Sequence, residues 1–526
     1  MQREHQYSSA DRKAEPKMVA VIDIGASSLR MQIAEIRSDG SIRNLESFSQ
    51  ALSLGKDSFS AGVIAKETIE NCVHVLSIYR AKLNEYEITD PNNIRVIATS
   101  GVNEASNRLA FLDRIYVATG FEVGSFDEAE LHRITYRGIQ PYIKSNCRQL
   151  KGETLAMEVG GGTTETLWLS NGNVTFARAF RLGALRMRQR LELYDAPLLK
   201  ARDMMERQIR DTIELLKGSV SAKPDFLIAM GGDVRFAAQE IKQSALGSEL
   251  VDIKSKSLEK FLAEILSSSP ENLVTRYHMS LPDAQLLGPG LLTIATFARA
   301  YKLEKITVAN VNLRDGMISE MAKGKMWNPS IEEQILRSAK QLGRKYQINE
   351  EHSKHVAKLS CDLFDQLQPL HEMSGRFRGL LQVASLLHQV GAFISSKASH
   401  KHSMYIIKNS EFFGVGSEDK LLVSQVARYH RRAFPSSRHL GYSSLSRELR
   451  VSVSKMASIL RLAIALDVSH SQKINSLKCK ILPHEIQIVT EDMSDLTLER
   501  MELRRSSELF ESIFGKPVIL TSTPVE

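Results

Sequence analysis

Two short turns of small residues carry the first sign of chemistry. Gly25-Ala26-Ser27-Ser28 lies inside MVAVIDIGASSLRMQIAEI, which begins at Met18, and Gly160-Gly161-Gly162-Thr163-Thr164 lies inside AMEVGGGTTETLWLSNGNV, which begins at Ala156. A turn with little side chain lets backbone N–H groups approach a phosphate closely. Ser27, Ser28, Thr163 and Thr164 add hydroxyl donors. Each turn follows an apolar strand that carries an acid, Asp23 in the first and Glu158 in the second. A carboxylate repels phosphate, so its place beside such a turn predicts a hard cation bridging to phosphate oxygens. Asp23 and Glu158 are the expected ligands of a magnesium ion (Mg2+) or another divalent cation. One glycine turn alone reads as a tight hairpin; two matched turns, each with its acid, point to a shared site.

The elements that must position these residues follow from the spacing. Asp23 and Glu158 are 135 residues apart, about the length of one domain. The simplest reading is a duplicated α/β lobe with a cleft between the copies. NIRVIATS (93–100) and DFLIA (225–229) read as buried strands, the second just before Gly231-Gly232. After Lys325-Met326-Trp327-Asn328-Pro329 the β-branched alternation fades, and Val356, Leu359, Leu363 and Leu367 form a helical stripe. The predicted organisation is a flexible tail over 1–17, lobe I over 18–137, lobe II over 138–327 and a mainly helical region over 328–526.

Composition sets the outer bounds. The chain has 526 residues, 25% charged and 43% hydrophobic, with a formal charge of +8. That excludes a mostly disordered chain, a collagen and a coiled-coil rod, and mildly favours an anionic ligand. The most apolar run, Leu286 to Ala298, is broken by Gly288, Pro289 and Gly290, so no membrane span is expected. The polar first 17 residues and the four scattered cysteines predict a cytoplasmic protein with reduced thiols.

The motifs, in order, resemble the exopolyphosphatase / guanosine pentaphosphate phosphatase family. VIDIGASSLRMQIAEI resembles its first phosphate loop, ATSGVNEASNR (98–108) its Thr-Ser segment, FDEAELHRITYRGI (126–139) the segment with the catalytic glutamate, and MEVGGGTTE (157–165) its second loop; AMGGDVRFAA and NVNLRDGMI follow in the right order. The resemblance covers about residues 18 to 325. It implies duplicated actin-like lobes and metal-dependent hydrolysis of a terminal phosphoanhydride, in which positioning and charge stabilisation do most of the catalysis. It places the water-activating base at Glu128, with Glu130 as the competing choice, because the spacing to Gly138 is about three residues longer than usual. Gly25, Ser27, Ser28, Gly160, Gly161, Gly162, Thr163 and Thr164 are then expected to cradle the phosphoryl group, and Gly231 and Gly232 to close the far side. The chain departs from the family at Ala26-Ser27-Ser28, at Asn103 where an arginine is usual, and at Glu158 where an aspartate is usual.

The helical half also resembles known patterns. His352, LLHQVG (386–391) and ALD (465–467) resemble the metal-binding pattern of HD phosphohydrolases, with Gln389 in place of the bridging aspartate, which predicts an HD-like domain without metal. Basic residues concentrate from Arg428 onward, and Lys401 lies upstream. A charge run is commonly a solvated face; with this resemblance, Arg428, Arg431, Arg432 and Lys401 are candidates for a polyphosphate track. Two tryptophans in the whole chain argue against a single-strand nucleic-acid binder. The expected substrate is inorganic polyphosphate, with guanosine pentaphosphate (pppGpp) as the alternative. The rivals are a non-catalytic polyphosphate or alarmone sensor and a kinase on the same fold. A homodimer is expected from the family.

Overall fold

The structure is a computed structural model, which describes residues 16–144, 151–193, 198–244, 247, 250–323, 329–431, 433–490 and 495–522. The chain forms two compact units, Met1–Met326 and Trp327–Glu526.

The first unit is built on two sheets of similar plan. In the first, β1 (Lys17–Ile24), β2 (Ser28–Ile36), β3 (Ile42–Ala51), β4 (Ile94–Ala98) and β5 (Val123–Ser125) lie in the order β3-β2-β1-β4-β5. β1 runs antiparallel to β2 and parallel to β4. Its residues from Val19 to Ile24 are buried on both faces, as a near-continuous aliphatic run should be in a covered sheet. β3, at the edge, is mostly exposed and carries Arg43 and Glu46, charges that discourage further strand pairing. Around this sheet lie α1 (Leu54–Ala61), the single turn α2 (Ser100–Asn103) and α3 (Glu128–Lys144).

The second sheet repeats the plan. β6 (Glu153–Val159), β7 (Thr164–Ser170), β8 (Asn173–Phe180), β9 (Phe226–Met230), β10 (Val251–Lys254) and β11 (Lys305–Val308) lie in the order β10-β11-β9-β6-β7-β8. β6 is antiparallel to β7 and parallel to β9, as β1 is to β2 and β4. The helices used below are α4 (Ala184–Leu193), α5 (Gly232–Lys242), α6 (Leu281–Ala300) and α7 (Leu313–Lys323). α6 holds the apolar run with Pro289 inside it, and its residues from Leu286 to Ala298 are buried in the second lobe's core. Among the described residues no helix is long and apolar enough to cross a membrane.

Two helices depart from a simple division of the chain. α7, which the sequence reading places in lobe II, buries Met317 and Ile318 against Val19, Val21, Ala34 and Ile36 of the first sheet. The first lobe is therefore completed by a segment nearly 300 residues further along the chain. α3 touches both sheets: Ile134 joins the cluster on the first sheet, while the Tyr136 hydroxyl lies 3.4 Å from the Gly172 carbonyl between β7 and β8.

The second unit is mainly helical. Val356, Leu359 and Leu363 are fully buried along α8 (Glu350–Gln366), as their spacing predicts. α9 (Gly375–Leu387), α10 (Ser399–Asn409), α11 (Ser417–Arg428) and α12 (Arg447–Ala465) pack around it or one another. A three-stranded sheet follows, β12 (Lys478–Ile481), β13 (Ile486–Thr490) and β14 (Val518–Ser522), in the order β12-β13-β14. The sequence reading does not include it: its edge strand β12 is mostly exposed and reads Lys-Cys-Lys-Ile, with no buried apolar run to mark it.

Candidate active site in the first unit

The two small-residue turns have one design. Gly25 N–H donates to the Ser28 carbonyl at 3.0 Å, and Gly160 N–H donates to the Thr163 carbonyl at 2.9 Å. In the second turn, the Gly160 carbonyl accepts from Ala184 N–H (2.9 Å), the Gly161 carbonyl from Arg186 N–H (3.1 Å) and the Gly162 carbonyl from Arg186 Nε (2.9 Å). A trans peptide places each carbonyl opposite the N–H of the next residue. With three successive carbonyls drawn to α4, the N–H groups of Gly161, Gly162 and Thr163 are turned the other way. The first turn does the same: the Ala26 carbonyl accepts from Gly55 N–H (2.7 Å) and the Ser27 carbonyl from Leu52 N–H (3.0 Å). That turns the Ser27 and Ser28 N–H groups away from these contacts. Successive N–H groups aimed to one side make an anion-binding concavity.

The turns face one another at contact distance. A methyl group at Gly161 would lie 3.4 Å from Ala26 Cβ and 3.5 Å from Ser27 Oγ. Thr164 is buried, and its hydroxyl donates to the Leu182 carbonyl, so it braces the turn instead of offering a free donor.

The two acids act on one another electrostatically. Burial raises the Asp23 carboxyl above its usual range, with Arg314 and Arg30 opposing the shift. Burial pushes Glu158 up to about 7, with Arg235 opposing it and Glu165 and Asp23 adding to it. Asp23 and Arg30 are register partners across the first hairpin, while Glu158 and Glu165 are partners across the second. Like charges directly opposite each other destabilise a hairpin. One Asp23 oxygen, Oδ1, is buried without a hydrogen-bond partner, while Oδ2 lies 3.4 Å from Arg314 Nη1. Two facing carboxylates with an orphaned buried oxygen fit a hard divalent cation. Among the described residues no three His, Cys, Asp or Glu side chains are grouped to hold an ion by themselves. Asp23 and Glu158 would therefore share such an ion with water and substrate oxygens, a common arrangement for magnesium.

Several site groups escaped sequence reasoning. Arg30, Arg235 and Arg314 interact electrostatically with one another and with Asp23, Glu158, Asp233 and Asp315. They lie on β2, α5 and α7, inside the VIDIGASSLRMQIAEI, AMGGDVRFAA and NVNLRDGMI segments, where the sequence reading singles out acids, hydroxyls and glycines and not the arginines. Burial also pushes Asp233 up to about 7. Gly231, ahead of α5, has φ +113°, and a Cβ there would lie 3.3 Å from the Val159 carbonyl and 3.9 Å from Glu158 Cγ. Gly231→Ala is expected to lower stability by about 1–3 kcal/mol, measured by urea unfolding, because an L side chain rarely adopts this backbone. Gly232 is the first residue of α5, and a Cβ there would meet open space.

α3 begins with a reciprocal cap. Glu130 N–H donates to Asp127 Oδ1, and Asp127 N–H donates to Glu130 Oε2, each at 3.1 Å. Glu130 is thus engaged in starting the helix, while Glu128 is exposed in its first turn. The helix is continuous from Glu128 to Lys144, so the extra residues before Gly138 lie within it. Asn103 does not stand in for the usual arginine. Its amide nitrogen donates to the Phe126 carbonyl (3.2 Å) and its oxygen accepts from the Ser125 hydroxyl, so it fastens the segment just before Glu128. One turn into α3, buried His132 brings Nε2 to 2.9 Å from Glu165 Oε2, without hydrogen-bond alignment.

In the second unit, His352 Nδ1 lies 2.7 Å from Asp467 Oδ2 and its ring stacks on His470 at 3.8 Å. His388 lies between His352 and His430, with ring centroids 5.7 and 5.2 Å away. Burial holds His388 well below the usual imidazole range and pushes His430 down to about 4. A base whose folded pKa is depressed adds stability above its unfolded pKa, and that stability is lost as pH falls towards the folded value. We therefore expect the second unit to weaken between about pH 6.5 and 4, by up to about 3 kcal/mol from His430. Hydrogen exchange across α9 and α11 checks this, and His430→Gln should flatten the dependence. Lys401, Arg428 and Arg431 all act on His400, which places three of the four candidate track cations together; Arg432 lies outside the described residues.

Comparison with known proteins gives two family matches. The Ppx/GppA phosphatase family model matches residues 32–325, and the model for Ppx/GppA phosphatase domain III matches residues 336–509. Among solved structures, the chain is similar to an exopolyphosphatase from Cytophaga hutchinsonii ATCC 33406, with 22% identity and a TM-score of 0.54 over 59% of this chain and 98% of that one. An exopolyphosphatase-like protein shows 19% identity and a TM-score of 0.52 over 59% of this chain and 99% of that one. These two likenesses are of fold alone. The Aquifex aeolicus member of the Ppx/GppA family shows 20% identity and a TM-score of 0.49 over 59% of this chain and 99% of that one. With the first match alone spanning more than half of its length, the chain belongs to the Ppx/GppA phosphatase family.

Proposed function

We propose that the chain is an exopolyphosphatase, which hydrolyses the terminal phosphoanhydride bond of inorganic polyphosphate and releases orthophosphate. The observation that carries this reading is the pair of apposed turns in which the carbonyls of Ala26 and Ser27, and of Gly160, Gly161 and Gly162, are drawn to partners outside the turn. Their N–H groups suit the non-bridging oxygens of a terminal phosphoryl group. Arg30, Arg235 and Arg314 suit the next phosphates, since three gathered guanidinium groups gain most from a ligand with repeated negative charge.

In the proposed mechanism, water attacks the terminal phosphorus in line with the anhydride oxygen. Glu128 accepts the water proton, the bridging P–O bond breaks, and the shortened chain leaves. A divalent cation held by Asp23 and Glu158 would neutralise charge on the phosphoryl oxygens. Asn103 steadies the segment ahead of Glu128. Lys401, Arg428 and Arg431 are our candidates for holding a remote stretch of the polyanion, with Arg432 adjoining in sequence. We read the histidine cluster of the second unit as an HD-like remnant serving structure, and the working form as a homodimer, which light scattering tests against the 58.9 kDa of one chain.

The deciding assay is orthophosphate release from long-chain polyphosphate and from guanosine pentaphosphate, with magnesium and with a chelator. Faster release from polyphosphate is the expected result. Faster release from the nucleotide would move the assignment to a 5′-phosphatase. Tight binding of polyphosphate without turnover under several divalent ions would leave a sensor.

A further inference from the structure

Arg186 is a single buried side chain that reaches three parts of the first unit. It starts on α4, in the second lobe. Its Nε donates to the Gly162 carbonyl at 2.9 Å, its Nη2 donates to Glu104 Oε1 at 2.7 Å, and its guanidinium lies 3.8 Å from the centre of the Phe59 ring. Glu104 follows α2 directly, and Phe59 is on α1, so both belong to the first lobe. Gly162 fits into the same corner: a Cβ there would lie 2.6 Å from the Phe59 ring.

We propose that Arg186 is a positioning residue that clasps the second phosphate turn to the first lobe, so that closing the cleft and aiming the Thr163 N–H are one event. The inference rests on the phosphate-binding reading of the turns. Gly162 O and Thr163 N–H belong to one planar peptide, so rotation of that peptide moves both together. While Nε holds the carbonyl, the N–H stays aimed away from α4. Glu104 and Phe59 fix the other end of the guanidinium, and so help to set where Nε points. Lysine keeps the charge, yet it has no planar fork to serve Glu104 and Gly162 at once and cannot stack flat on Phe59. Opening the lobes would part Glu104 from Arg186 and free the Gly162 peptide to turn.

The test measures turnover and lobe separation independently. Spin labels are placed on cysteines introduced at exposed Leu109 in the first lobe and exposed Leu215 in the second. Electron–electron distance distributions and orthophosphate release are then recorded for the labelled parent, Arg186→Lys and Glu104→Gln. Arg186→Lys should broaden the distance distribution and lower kcat by about 10- to 100-fold with KM little changed, as a misaimed donor does. Glu104→Gln keeps an acceptor without its charge; it should do the same more weakly, and it serves if the lysine variant does not fold. A distribution as narrow as the parent's in both variants, or a change in KM alone, overturns the clasp. If the parent releases no phosphate, the phosphatase reading fails, while the distance measurement still decides whether Arg186 holds the lobes together.

Discussion

Glu128→Gln is expected to lower orthophosphate release by about 10²–10⁴-fold, the usual loss when a positioned general base is removed. The amide keeps the size and hydrogen-bonding reach of the carboxylate and loses only the capacity to take the water's proton. Polyphosphate binding, which rests on the turns and arginines, should therefore stay within a few fold of wild type. Glu130→Gln is the informative control. Glu130 accepts from Asp127 N–H at the start of α3, and a neutral oxygen there still accepts, more weakly. Its expected effect is a loss of about 0.5–1 kcal/mol in stability with modest change in turnover. Single-turnover phosphate release and isothermal titration with polyphosphate separate the two variants. Equal release by Glu128→Gln and wild type would remove Glu128 from the reaction.

The second large effect is expected at Gly183, which lies outside both turns. A methyl group there would sit 2.2 Å from the Gly161 carbonyl oxygen and 2.4 Å from the carbonyl carbons of Gly161 and Gly162. These neighbours are backbone, so no side chain can swing aside; the second turn itself must shift. A displacement of about 1 Å in a group that holds substrate can cost about 100-fold in rate. Gly183→Ala should thus lose about two orders of magnitude in kcat/KM, with about 1–3 kcal/mol of stability lost to overpacking. Gly218→Ala is the matched control. It is helical, a Cβ there meets nothing within 4 Å, and the change should be neutral or slightly stabilising. Phosphate release and denaturant midpoints for the pair provide the measurement. A fully active Gly183→Ala would show that the placement of the second turn does not matter.

The hairpins around Asp23 and Glu158 were legible because each pairs an aliphatic run with a compact turn, a local pattern that tertiary contacts then reinforce. The strands expected at 93–100 and 225–229 appear as Ile94–Ala98 and Phe226–Met230 for the same reason. Individual letters were less legible. The three-residue lengthening before Gly138 left two acids in competition, and only the reciprocal bonds of Asp127 and Glu130 assign one of them to the helix start. Asn103 read as a missing charge, whereas it holds the Ser125–Phe126 segment through its amide. Arg30, Arg235 and Arg314 were invisible as a group, because they come from positions more than 200 and then about 80 residues apart. Thr164 read as a phosphate donor, yet its hydroxyl is spent on Leu182. A residue type announces which bonds it can make; which of them are already taken depends on neighbours far away in sequence.

The position of α7 has a consequence for synthesis. Val19, Val21 and Ala34 are covered in part by Met317 and Ile318, residues made long after them. A growing polypeptide halted near residue 300 would have every strand of its first sheet but an incompletely covered greasy surface on one side. Such a surface invites chaperones or neighbouring nascent chains. The ribosome must therefore deliver the second lobe's strands before the first lobe can be finished, and the arginine of Arg314 arrives beside Asp23 only at that last step.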